Sequence, residues 1–188
     1  IVETPQEGIT TVAARIAKLI NRREENGQKT VLSLASGRSM RDLFVELVRL
    51  HKEEGLSFKN VVVFGSYEFY PLSDSSLGSM AQIQSQLLDH IDILPENVHT
   101  FPGDLPKETI FSFCEEYEKT IAEAGGIDIQ VLGIGQWGNI AMNEPGTQPN
   151  SSTRLVIMDG NSRVDAKSLF GNVAQVPTCA ITLGIETI

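Results

Sequence analysis

The feature that most limits how this chain can fold is its alternation of short apolar runs with longer amphipathic ones. Residues 30–34 (TVLSL), 60–64 (NVVVF) and 127–134 (IDIQVLGI) are continuous enough in apolar character to be buried strands. Between them, apolar residues recur at helical spacing, first as Val12, Ile16, Leu19 and Ile20, then as Leu43, Phe44, Leu47 and Leu50. Thr4-Pro5 supplies an N-cap and a first-turn proline for the first helix, which Asn26-Gly27 ends; Gly55 ends the second. Further helical patterns surround Ile83, Leu87 and Leu88 and fill residues 108–124, with a short strand between them over 98–101. Two more strands are expected over 153–158 and 178–183, joined by a helix over 162–170. Parallel strands need crossovers of a dozen or more residues, and helices of that length separate these. The expected fold is therefore α/β: a doubly wound, mostly parallel sheet with helices on both faces.

Composition narrows the function. A chain of 188 residues, 41% hydrophobic and 21% charged, suits one domain spanning 1–188. The longest purely apolar run is VVVF, from Val61 to Phe64, well short of the roughly 20 residues a membrane span needs. Fifteen Lys+Arg against 24 Asp+Glu leave a net charge of −9, with no basic stripe to hold a nucleic-acid backbone. A local positive pocket for a small anion remains compatible with that charge. Cys114 and Cys179 form no CxxC and read as reduced residues of a cytoplasmic protein. His51, His90 and His99 stand in no ligand spacing, so no metal is expected.

In doubly wound sheets ligands bind beyond the C-terminal strand ends. That directs attention to three junctions, after Leu34, Phe64 and Ile134. The first reads Ser36-Gly37-Arg38-Ser39. It is either a phosphate cradle at a helix N-terminus or a plain strand-to-helix turn with a serine cap. The second reads Gly65-Ser66-Tyr67-Glu68-Phe69-Tyr70, whose aromatics either wall a pocket or cap the core. The third contains Gly133, Gly135 and Gly138, followed by Asn143-Glu144-Pro145. Its GxGxxG spacing alone is a weak dinucleotide signal. Trp137 there is a packing or a site residue, and Glu144 a turn cap or a proton carrier.

These segments, in this order, resemble the glucosamine-6-phosphate deaminase/isomerase family: LSLASGRSM, SFKNVVVFGSYEFYPL, LLDHIDILPENV, GIDIQVLGIGQWGNIAMNEPG and QVPTCAITLGIETI. The resemblance covers nearly the whole chain, and its most specific string is GxGxxGxIAxNEP. It implies a Rossmann-like fold, a hexose 6-phosphate ligand, no cofactor, a place in amino-sugar metabolism and self-association into a homo-oligomer. It also implies a further C-terminal portion carrying a phosphate-binding lysine, so the expectation is of a domain lacking that part. By resemblance the phosphate turn falls on Ser36, Gly37, Arg38 and Ser39, where the family pattern is closer to TGGT.

The same resemblance marks departures. The family reads MDEY where this chain has Ser66-Tyr67-Glu68-Phe69, so its proton-shuttling aspartate falls on Tyr67. A phenol, with an ordinary pKa of about 10, is a poor base at neutral pH. Glu68 is adjacent but in extended chain points to the opposite face. The family's GNDGHIAFNEP stands here as GQWGNIAMNEP, which places its aspartate on Trp137 and its ring-opening histidine on Asn139. Glu144 remains. By the same resemblance an arginine expected near Ser168 is missing, with Lys167 beside it. The expected site is thus Glu144, Tyr67, Asn139 and Glu68 for chemistry, with Ser36, Gly37, Arg38, Ser39, Gly135, Trp137 and Lys167 for binding. Three functions follow: a deaminase/isomerase with rerouted proton transfer, a non-catalytic sugar-phosphate sensor, or a hydrolase like the related 6-phosphogluconolactonases.

Overall fold

The structure, a computed structural model, describes residues 2–188. Two strands, β1 (Thr30–Leu34) and β2 (Val61–Gly65), are buried along their whole length and pair in parallel, Thr30 opposite Val61 through Leu34 opposite Gly65. Val98–His99 (β4) adds to β2, and Ile129–Val131 (β5) adds to β1, both in parallel. The resulting order is β4-β2-β1-β5.

Strand side chains alternate between faces, and the two cores follow that alternation. Leu32, Leu34, Val61 and Val63 pack with Ile16 and Ile20 of α1 (Pro5–Glu25), Phe44 and Leu47 of α2 (Arg38–Glu54), and Ile83 of α3 (Ser79–Gln86). Val31, Val62 and Phe64 pack on the other face with Ile110, Cys114, Tyr117 and Ile121 of α4 (Ile110–Glu123). The helix signals act as expected. Thr4 Oγ1 accepts from the Glu7 N–H at the start of α1, and Gly55 ends α2 in the left-handed region at φ 74°. An Arg23–Asp128 ion pair ties α1 to the approach to β5, and Asp128 also accepts from the Val31 N–H at 2.9 Å.

The sheet is shorter than expected at two places. The strand expected over 127–134 narrows to β5, because Gly133 and Gly135 give the chain no side chains to pack. That over 98–101 narrows to β4. A larger difference concerns residues 67–70, expected after β2 as a pocket wall or a cap on the core. They form β3 (Tyr67–Tyr70), which pairs antiparallel with β7 (Cys179–Thr182). β7 in turn pairs antiparallel with β6 (Arg154–Ile157), giving a second sheet in the order β3-β7-β6, with α5 (Gly160–Phe170) between β6 and β7. The run Tyr-Glu-Phe-Tyr is rich in strand formers, and its partner lies more than a hundred residues downstream. Ser66 is the hinge between sheets: its N–H donates to the Leu34 carbonyl and its carbonyl accepts from the Leu183 N–H, both at 3.0 Å. Phe69, Met142, Met158, Phe170 and Ala180 form a third apolar cluster behind the small sheet. Among the described residues no helix is long and apolar enough to cross a membrane.

Candidate functional site

At the first junction the helix begins earlier than expected. Arg38 and Ser39 lie in the first turn of α2, and Gly37, at φ 121°, is its N-cap. That φ suits glycine, and nothing lies within 4 Å of where a Cβ would stand. No side chain caps the first-turn N–H groups, and no acidic residue occupies that turn. The positive end of a 17-residue helix therefore meets solvent at the exposed Arg38 and Ser39, while the next N–H, of Met40, donates to the Gly37 carbonyl at 3.1 Å. Helix starts of this kind suit an anion. Ser36 is not the serine cap of a plain turn; its Oγ lies 2.9 Å from the Tyr67 hydroxyl.

At the second junction Tyr67 and Glu68 are successive residues of β3, and both approach Ser79 at the start of α3. Tyr67 is partly buried, edge-on to Phe69 at 5.9 Å between ring centroids. Burial pushes its phenol above the ordinary range, and the Ser36 hydrogen bond offsets only part of that. Glu68, 3% exposed, accepts from three backbone N–H groups: Phe69 at 2.9 Å, Ser79 at 2.8 Å and Met80 at 3.0 Å. Its carboxylate caps α3 from another strand. Desolvation raises its pKa despite those bonds. A Cβ at Gly78 would lie 2.7 Å from Glu68 Oε2, so the turn is shaped around this carboxylate.

The third junction is a tight double turn. Gly135 N–H donates to the Asn139 carbonyl at 2.8 Å, and Ile140 and Asn143 exchange backbone bonds at 3.1 and 3.0 Å. The Asn139 side chain lies over Gly135, where any Cβ would collide with it. Its Nδ2 donates to the Ala141 carbonyl at 3.2 Å, while Oδ1 is buried without a partner among the described residues. Ala141 sits at φ 51°, a strained value for a non-glycine residue. Asn143 is buried and fully engaged: Nδ2 donates to the Leu183 carbonyl at 2.8 Å, and Oδ1 accepts from Arg154 Nη2 at 2.9 Å. Glu144 is partly buried, and its Oε1 accepts from the Ser162 hydroxyl at 2.6 Å.

Two links join the junctions. Ser36 and Tyr67 connect the first to the second. Thr182 connects the second to the third, since it stands opposite Tyr67 in the small sheet and its Oγ1 accepts from the Met142 N–H at 3.2 Å. Of the other expected residues, Glu68 is turned toward α3, Lys167 is exposed on the last turn of α5, and Trp137, within the third turn, is 49% exposed and so not a packing residue. Ser162, Thr182 and Ala141 were not foreseen. Thr182 and Ser162 touch the site only through tertiary contacts, and Ala141 only through its backbone. A cavity of about 420 Å³ lies instead beside β4, lined by Met80, Leu88, Ile93 and Val98 among others, without an ionisable group.

This architecture is a Rossmann-like α/β fold. The chain belongs to the family described as glucosamine-6-phosphate isomerases/6-phosphogluconolactonase, whose model matches residues 3–167. A glucosamine-6-phosphate deaminase-like protein of Bacteroides thetaiotaomicron is 46% identical over 189 residues, covering 100% of this chain and 28% of that relative. This chain thus spans little more than a quarter of it. A solved monomeric glucosamine-6-phosphate deaminase superposes with a TM-score of 0.89 at 32% identity, covering 100% of this chain and 76% of that one. The 6-phosphogluconolactonase of Thermotoga maritima shares the fold, with a TM-score of 0.68 at 22% identity over 94% of this chain and 72% of that one.

Proposed function

We propose that this domain binds a hexose 6-phosphate of amino-sugar metabolism, with the phosphate on the first turn of α2 and the sugar extending toward Asn139 and Glu144. One observation carries the reading: the uncapped N-terminus of α2 after Gly37, with Ser36, Arg38 and Ser39 around it. Backbone donors and the helix dipole hold the anion, and Arg38 adds a guanidinium suited to phosphate. The Asn139 amide, fixed over Gly135, orients a sugar hydroxyl. Glu144, held by Ser162, is the carboxylate available to move a proton between neighbouring sugar carbons.

Deamination by this constellation is slow. By resemblance, Tyr67, Trp137 and Asn139 stand where deaminases carry acid–base groups, and each such group contributes roughly 10²–10⁴ in rate. Glu68 does not make up the loss, since its oxygens are held by the N–H groups of α3. No cofactor or metal enters this reading, and a cytoplasmic setting suits the two free thiols.

The test is a thermal shift with glucosamine 6-phosphate beside an assay of ammonia release. Stabilisation with slow release that is lost in Glu144→Gln supports the proposal. Stabilisation with no release assigns a sensor, and hydrolysis of 6-phosphogluconolactone assigns the lactonase chemistry whose fold is shared. No stabilisation by any hexose phosphate refutes all three.

A further inference from the structure

We infer that Tyr67 is a positioning residue for the phosphate turn, holding Ser36 so that the serine hydroxyl hydrogen is directed at the anion. The inference rests on the phosphate-binding reading of α2 and adds the device that orders the turn.

The geometry begins with a pair of hydroxyls 2.9 Å apart, Ser36 Oγ and Tyr67 Oη. Each has one hydrogen to donate, and only one of the two hydrogens lies between them. A phenol is the more acidic of the two and so the stronger donor. The buried Ser79 hydroxyl, with no other partner among the described residues, lies beside the phenol and is placed to donate to it, which leaves the phenol hydrogen for Ser36 Oγ and the Ser36 hydrogen for a third partner. A donor chain of this kind polarises along its length, which strengthens the outer bond to an anion. The elevated pKa of the phenol keeps it neutral and able to donate.

Tyr67 is a firm post for this purpose. Its backbone is locked in β3 opposite Thr182, and its ring stands edge-on to Phe69. The next residue, Glu68, is anchored by three backbone N–H groups, which fixes the strand's rotation about its axis. Ser36 sits in the turn between β1 and α2, immediately before the N-cap Gly37. Without the Tyr67 bond, nothing among the hydrogen bonds of the described residues holds the Ser36 side chain. The same bond occupies the only hydrogen Tyr67 has, which removes it from proton transfer to the sugar.

The experiment is a double-mutant cycle on affinity, read by calorimetry with glucosamine 6-phosphate and with unphosphorylated glucosamine as control. Tyr67→Phe keeps the ring, and Ser36→Ala removes the same bond from the other side. Each single variant is expected to weaken the phosphorylated ligand by about threefold to tenfold, with no change for the control. The double variant is expected to bind no more weakly than Ser36→Ala alone. Where turnover is measurable, Tyr67→Phe raises KM and leaves kcat unchanged. Losses that multiply in the double variant, or a fall in kcat at constant KM, overturn the inference while leaving the phosphate site standing. No loss in Ser36→Ala, or no binding by the unsubstituted protein, overturns the reading of the site and this inference with it.

Discussion

Ser162, in the first turn of α5, donates a 2.6 Å hydrogen bond to Oε1 of Glu144, eighteen residues earlier in the chain. The donor is 7% exposed, so water does not readily replace it. Ser162→Ala frees the glutamate side chain without touching the α2 turn. The expected result is a fall of about threefold to tenfold in ammonia release at saturating glucosamine 6-phosphate, with affinity for the phosphorylated sugar retained.

Glu68 governs stability rather than chemistry. Glu68→Ala leaves three N–H groups without their acceptor and costs about 2–3 kcal/mol in urea unfolding. Glu68→Gln carries a pH signature. Burial raises the folded-state pKa above the unfolded value near 4.5, so the stability linked to this group is fully present below that value. It declines as pH rises through the folded value, whereas glutamine does not ionise. The penalty of Glu68→Gln relative to the native protein therefore shrinks as pH rises above 4.5.

Gly135→Ala places a methyl group where the Asn139 side chain lies. The amide must move, and overpacking of this sort costs about 1–3 kcal/mol. Calorimetry is expected to show weaker binding of the sugar phosphate and a lower Tm together.

The two thiols differ in reactivity. Cys114 is 4% exposed on α4, and burial, with Glu118 nearby, pushes its thiol up to about 11. Cys179 is partly exposed at the start of β7. A thiol reagent at pH 8 is expected to label Cys179 in the folded protein and Cys114 only after denaturation, as mass spectrometry of the labelled peptides would show.

What the sequence made legible, and what it hid, follows from how local each signal is. β1 and β2 announce themselves because both faces are buried, which leaves an uninterrupted apolar run. The bounds of α1 are written in Thr4, Pro5 and Asn26-Gly27, and the end of α2 in Gly55. Residues 67–70 gave no such notice, since one residue, Ser66, separates them from β2 and their partner β7 lies far downstream. Strand alternation predicts that Tyr67 and Glu68 diverge, yet both approach Ser79. It does not say that Glu68 meets Ser79 eleven residues later, nor that Tyr67 meets Ser36 thirty-one residues earlier. The Gly37 turn is readable as a candidate anion site from its neighbours. Ser162 is one serine in an ordinary helix start, and only the packing of α5 against the Glu144 segment brings it to the site.

The account turns on the first turn of α2, and a structure of the protein with glucosamine 6-phosphate bound tests it most directly. The prediction is a phosphate whose oxygens lie about 3 Å from the Arg38 and Ser39 amide nitrogens and from Ser36 Oγ, with the sugar ring reaching Asn139 and Glu144. A phosphate seated elsewhere, with those amides facing only solvent, would contradict it.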